Sequence, residues 1–252
     1  MTTRTRLGLL TPSSNTVLEP MTAAILADAP EVTAHFARFR VMEISLSDDA
    51  LGQFSFEPQL AAADLLADAR VDVIAWAGTS GGWVGIENDR ELCRMISERT
   101  GVPATTSTLA LLAAFKELDA WRYGLVTPYL SNVQKRIVDN FEGRGLSCAS
   151  ELHLGDKGNF SFSEYDEDTI AGMVRSAAAA TPDAIAIYCT NFNGTRVAPE
   201  LERELSIPVL DSVAVTIWHM LALAGADTAP LRRWGKLFSI PAPTLNQPER
   251  AT

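Results

Sequence analysis

The feature that most constrains this 252-residue chain is an internal repeat. Gly8-Leu9-Leu10-Thr11-Pro12 recurs 116 residues later as Gly124-Leu125-Val126-Thr127-Pro128. Asp72-Val73-Ile74-Ala75 recurs 111 residues later as Asp183-Ala184-Ile185-Ala186. Val102-Pro103, with the helix-like segment after it, recurs 105 residues later as Ile207-Pro208. The order is kept and the offset drifts only as loop lengths change. Each block is a short apolar run, then a turn, then a longer amphipathic stretch. That alternation is the signature of a parallel sheet with helices on its faces.

The repeat predicts an α/β fold of two pseudo-symmetric flavodoxin-like halves, residues 1–117 and 118–252. Each half is a parallel sheet flanked by helices, with the active site in the cleft between them. Strands are expected over 6–10, 33–41, 71–77 and 102–104, and again over 123–126, 147–154, 184–188 and 208–210. Helices are expected over 18–27, 59–69, 86–99 and 107–118, and again over 131–141, 165–180, 198–205 and 212–224. The 212–224 helix is placed to pack back on the first half. The tail after Ala229 is proline-rich and is expected to run over the surface or fray. Ligands of open α/β sheets sit beyond the carboxyl ends of the strands. Residues matched by the repeat therefore face one another across a shared ligand.

Composition narrows the class. The chain has 21 Lys+Arg against 31 Asp+Glu, a net charge of −10, which disfavours a nucleic-acid or anionic-membrane partner. No apolar run reaches the roughly 18 residues of a membrane span. The apolar stretch before Thr11 is too short for a secretory signal, so a cytoplasmic location is expected. The three cysteines, Cys93, Cys148 and Cys189, form no CxxC pair and no disulfide framework. His35, His153 and His219 show no metal-ligand spacing. No metal site and no cofactor are expected. An oligomer is left open.

The loops after the strands carry the chemistry. The second repeat extends so that Gly78-Thr79 pairs with Cys189-Thr190. Two opposed thiols could move protons on both faces of a ligand; with Gly78 in one position, the site has a single thiol. Cys189 precedes Thr-Asn-Phe-Asn-Gly at a strand-to-helix turn, where backbone N–H groups are expected to lower a thiol's pKa. A buried, inert cysteine is the commoner fate, and that is how Cys93 and Cys148 read. Gly78-Thr79-Ser80-Gly81-Gly82 is either a flexible turn or a hydroxyl-bearing cradle for a carboxylate. With no Lys after it, it is not a phosphate loop, nor does it match GxGxxG. Pro12-Ser13-Ser14-Asn15-Thr16 supplies helix N-cap residues and could form a second cradle. The matching loop in the second half carries Tyr129, and Asn159 sits in a Gly-Asn-Phe-Ser turn.

Together these loops resemble the aspartate/glutamate racemase superfamily, in particular its maleate isomerase and arylmalonate decarboxylase branch, over residues 6–224. The Pro-Ser-Ser-Asn-Thr loop looks like the maleate isomerases; the resemblance gives Ser14 and Asn15 a substrate-carboxylate role, with Tyr129 and Asn159 as further binding residues. Cys189 matches the second-half cysteine of both activities. Gly78-Thr79-Ser80 instead looks like the decarboxylases, and implies a dioxyanion hole of Thr79, Ser80, Tyr129 and the backbone at Thr190. The polar loop at Ser13-Ser14-Asn15 departs from the mostly apolar leaving-group pocket of those enzymes. The resemblance implies decarboxylation of a substituted malonate through an enediolate, with Gly78 and Cys189 as the catalytic pair of positions and Cys189 as the proton donor. The alternatives are cis-trans isomerisation of a small dicarboxylate, a two-base racemase, and a carboxylate-binding protein that does no chemistry.

Overall fold

The computed structural model describes residues 4–240. Among them, two four-stranded parallel sheets have the same order. β1 (Thr5–Pro12), β2 (Val32–Phe39), β3 (Val73–Trp76) and β4 (Ala104–Thr106) lie as β2-β1-β3-β4. β5 (Arg122–Thr127), β6 (Ser147–His153), β7 (Ala184–Ile187) and β8 (Val209–Asp211) lie as β6-β5-β7-β8. The central strands are buried on both faces, which their unbroken apolar runs require. Leu10 is in register with Trp76, and Val126 with Ile187, so the repeat holds residue by residue at the strand ends.

Each strand feeds a helix. In the first half these are α1 (Leu18–Leu26), α2 (Asp48–Gly52), α3 (Phe56–Asp68), α4 (Gly81–Val84), α5 (Ile86–Thr100) and α6 (Ser107–Glu117). In the second they are α7 (Ser131–Glu142), α8 (Glu167–Ala178), α9 (Ala198–Leu205) and α10 (Ser212–Leu223). Two of these lie outside the sequence expectation. α2 sits in the 41–55 segment, where no element was expected, because Ser47 caps it by accepting from the Ala50 N–H. α4 is built from Gly81-Gly82-Trp83-Val84, a run whose glycines disfavour a helix on propensity alone.

The equivalent helices α6 and α10 pack on each other where the halves meet. Ser107 Oγ and Thr216 Oγ1 lie 2.7 Å apart in that interface, and Thr105 Oγ1 lies 2.8 Å from His219 Nδ1. α10 also packs on α1 and β3. It is apolar nearly all round, as a helix covered on every side must be. The segment after Ala229 does not fray over its described length. Its turns at Ala229–Trp234 and Lys236–Ser239 bury Leu231, Leu237 and Phe238, and Trp234 Nε1 donates to Asp28 in the α1–β2 turn. Its later prolines lie outside the described residues.

Asp211, at the end of β8, caps α10. Its Oδ1 accepts from the N–H groups of Val213 (2.9 Å) and Ala214 (3.1 Å) and from Thr195 Oγ1 (2.7 Å). Its Oδ2 has no partner. Burial pushes this carboxyl up to about 6, so the folded state holds a proton that the unfolded chain releases at the ordinary aspartate value of 3.8. The group's ionisation therefore works against folding as pH rises through that window. Asp211→Asn keeps the acceptor and removes the charge. Its stability relative to the parent, measured by urea unfolding, should rise from pH 4 to pH 7 by on the order of 1–3 kcal/mol. An unchanged difference across that range would show that Asp211 ionises freely.

Candidate functional site

The carboxyl ends of β1, β3, β5 and β7 converge on a small, partly open cavity of about 20 Å³. That is room for little more than a single water molecule. Gly78, Thr79, Ser80, Tyr129, Asn159, Cys189 and Thr190 all line it. Ser14 and Asn15 do not belong to that lining.

The polar wall is tightly hydrogen-bonded. Thr79 Oγ1 and Tyr129 OH lie 2.6 Å apart, joining the loop after β3 to the loop after β5. Trp76 Nε1 donates to Ser80 Oγ at 2.9 Å, which leaves the Ser80 proton free to point elsewhere. Thr190 Oγ1 donates to Ala77 O at 3.0 Å and accepts from Asn15 Nδ2 at 3.2 Å. Asn15 Oδ1 accepts from the N–H groups of Val17 (3.0 Å) and Leu18 (2.9 Å), closing the start of α1. Asn15 thus holds the wall from behind. Ser14 Oγ donates to Val41 O at 2.7 Å and accepts from Asn159 Nδ2 at 2.8 Å.

Cys189 is 3% exposed. Burial pushes its thiol up to about 12; hydrogen bonds from Tyr129 and from the Asn191 N–H pull the other way without prevailing. The N–H lies 3.4 Å from Sγ. This corrects the expectation of a lowered thiol pKa: the strand-to-helix turn does supply an N–H, but desolvation outweighs it. Burial likewise raises the Tyr129 phenol, so both groups are neutral proton carriers. Cys93 and Cys148 are half-buried and lie outside the cavity lining.

The rest of the lining is apolar: Val41, Ile44, Phe54, Trp76 and Trp83. This corrects the inference drawn from the polar loop at Ser13-Ser14-Asn15, whose Ser14 and Asn15 side chains turn towards the scaffold instead. The wall comes from Trp76 at the end of β3, Trp83 on α4 and the 41–54 stretch; the strand expected over 33–41 ends at Phe39, so Val41 falls in the irregular stretch after it. A clasp closes this side. Glu43 bridges Gly158, Ile44 N–H donates to Lys157 O at 2.8 Å, and Asn159 N–H donates to Met42 O at 3.3 Å.

Two functional-site residues escaped the sequence reading. Asn191 binds the halves together: its Oδ1 accepts from Thr16 N–H at 2.9 Å, and its Nδ2 donates to Asn159 O at 2.5 Å. It stands in the quoted Thr-Asn-Phe-Asn-Gly loop, but nothing in the type or spacing distinguishes it from the other asparagine. Asp89, on α5, lies buried beneath the loop after β3 and accepts from Thr106 Oγ1 at 2.5 Å. A Cβ on Gly81 would land 2.8 Å from Asp89 Oδ1, and one on Gly82 2.7 Å from Tyr188 Cε1. The glycine pair thus marks close packing under the loop, not flexibility. Among the described residues, no group of three or more His, Cys, Asp or Glu is placed to hold a metal ion.

Comparison with known proteins gives consistent results. A family model described as arylmalonate decarboxylase matches residues 7–238. A maleate isomerase of Geobacillus stearothermophilus is 23% identical over 227 residues, 86% of this chain and 90% of that protein. An arylmalonate decarboxylase of Bordetella bronchiseptica is 28% identical over 169 residues, 66% of this chain and 70% of that protein. A mutant maleate cis-trans isomerase of Nocardia farcinica, solved with a covalently bound succinylcysteine intermediate, superposes with a TM-score of 0.84 at 24% identity. That superposition covers 93% of this chain and 98% of the other.

A thiol held near 12 stays protonated at all working pH values. Cys189 should show no thiolate ultraviolet absorbance below about pH 10. At pH 7 it should alkylate with iodoacetamide roughly 10³-fold more slowly than a free cysteine. Rapid alkylation of Cys189, located by peptide mapping, would show an activated nucleophile instead.

Proposed function

Because the chain belongs to the arylmalonate decarboxylase family, we propose that it decarboxylates a substituted malonate, with Cys189 as the single proton donor and no cofactor. One observation carries this reading: the cavity has a polar wall, an apolar wall and one neutral thiol, with Gly78 where the repeat would allow a second.

The roles follow from the chemistry. One carboxylate is held at the polar wall by Thr79, Ser80 and Tyr129, with the backbone at Thr190 nearby. The other lies against Val41, Ile44, Phe54 and Trp83, where no Lys or Arg lines the cavity to stabilise its charge. Loss of neutral CO2 relieves that buried charge. The electron pair of the broken C–C bond passes into the held carboxylate as an enediolate, which preorganised donors stabilise. The Cys189 S–H then gives its proton to the planar carbon. The resulting thiolate, held by Tyr129 and the Asn191 N–H, takes a proton back from solvent. A protonated resting thiol suits this order of events, since the group must arrive with its proton.

Ser14 and Asn15 enter this reading by holding Asn159 and Thr190 in place: Ser14 Oγ accepts from Asn159 Nδ2, and Asn15 Nδ2 donates to Thr190 Oγ1. A small carboxylic acid larger than a water requires the clasp between 41–46 and 156–160 to open. Isomerisation of a cis-dicarboxylate is the second reading, favoured by the naming of relatives such as the Geobacillus protein as maleate isomerases. It asks Cys189 to add to a double bond, a task for a thiolate. The two halves, 1–117 and 118–252, both contribute to this one site: the polar lining comes from both, the apolar lining from the first.

The test is CO2 release from prochiral substituted malonates, with chiral analysis of the product. One enantiomer is expected. Cys189→Ala should lower the rate by roughly 10²–10⁴, and Thr79→Val by roughly 10²–10³. Absence of CO2 release together with conversion of maleate to fumarate would replace this reading with the second.

A further inference from the structure

We propose that Trp76 makes the site one-faced: its indole occupies the space a second thiol would need and so confines proton delivery to Cys189. The inference rests on the proposed decarboxylase reading for its chemistry, and on packing alone for its geometry.

Trp76 ends β3 and lines the cavity beside Gly78. A Cβ built on Gly78 would lie 2.5 Å from Trp76 Cε2 and 2.7 Å from Cη2, and closer still to Cζ2. Ordinary carbon contacts begin about 1 Å farther out. A side chain at 78 therefore needs the whole ring to move. The ring is not free to do so. It is 1% exposed, its Nε1 donates to Ser80 Oγ, and Phe39 packs on it with ring centroids 4.8 Å apart. Phe54 stands behind at 6.5 Å.

The repeat supplies the contrast. The residue equivalent to Trp76 is Ile187, and the half that carries Ile187 is the half that carries Cys189. The chain thus differs from its own second copy at two linked positions: glycine for the thiol and tryptophan for the residue beside it. The same ring fixes Ser80 on the substrate side, so Trp76 is both a positioning residue and the determinant of which face stays closed. Trp76→Ile restores the residue used by the other half.

Three variants test this: Trp76→Ile, Gly78→Cys, and both together. The packing arm is thermal melting and does not depend on the reaction. Gly78→Cys alone should lower Tm by about 3–10 °C through overpacking. In the Trp76→Ile background the same substitution should cause little or no loss. Equal losses in both backgrounds, or none in either, would overturn the steric claim. The chemical arm follows exchange of the α-hydrogen of enantiopure 2-phenylpropionate in D2O. In the double variant, with the enantiomer whose α-hydrogen faces position 78, the thiolate introduced there removes the α-proton to give the enediolate, and the solvent-exchanged Cys189 thiol on the opposite face delivers a deuteron. Racemisation with deuterium uptake should exceed that of Trp76→Ile by roughly 10²-fold, and Gly78→Cys alone should show none. Racemisation by Gly78→Cys alone, or a stable double variant without exchange, would overturn the proposal. A parent enzyme that releases no CO2 from malonates, with the melting cycle still coupled, would fault the function and leave the packing claim standing.

Discussion

The structure depends on how the buried strand ends of one half satisfy the polar groups of the other. Backbone groups taken out of water must find partners. Here they are found across the cleft. Thr190 Oγ1 donates to Ala77 O, and Asn191 Oδ1 accepts from the N–H groups of Thr16 and Val17. Tyr188 OH donates to Thr79 O at 3.0 Å and sits 2.7 Å from Thr108 Oγ1. Each link joins a residue after β7 to the first half. The halves cannot separate without leaving these groups unpaired, so the reactive loops are held at fixed distances.

On that shared frame the two sides of the site differ. The side after β7 keeps a thiol, buried and neutral. The side after β3 gives up its side chain at Gly78 and fills the space with Trp76. Symmetry explains why two loops meet. The departures from symmetry set the two sides apart: Cys189 stands on one, and an indole fills the matching space on the other.

The acidic balance of the chain is reconciled by placement. The cavity is lined by hydroxyls, a phenol, an amide, a thiol and apolar rings, with no ionised side chain among them. The two buried acids nearby, Asp89 and Asp211, are pushed up to about 7 and about 6 by desolvation. Neither lines the cavity, so no buried carboxylate stands where an anionic substrate would meet it. The paired surface charges, such as Arg99 with Asp64 and Arg175 with Glu204, stand on the outer helices.

The sequence by itself determined the two-fold α/β plan, because Gly-Leu-Leu-Thr-Pro and Asp-Val-Ile-Ala recur in order and apolar runs of that length must be buried strands. It also determined that Gly78, Thr79, Ser80, Tyr129, Cys189 and Thr190 would come to strand ends facing each other, since those loops follow repeated strands; Asn159 entered only through the family resemblance. Only the tertiary structure decided the protonation state of Cys189. Desolvation depends on everything packed around the sulfur, and a turn motif records only the nearby N–H. The same holds for the apolar wall: Ile44 and Phe54 lie in an irregular segment with no periodicity to read, and Val41 falls past the end of the strand that the alternating pattern carried through it. It holds for Asn15, whose amide serves the scaffold once the halves close. Trp76 stands in plain view in the sequence as a departure from its repeat partner. That it fills the missing thiol's place is a matter of a few ångströms, and only packing in three dimensions fixes those.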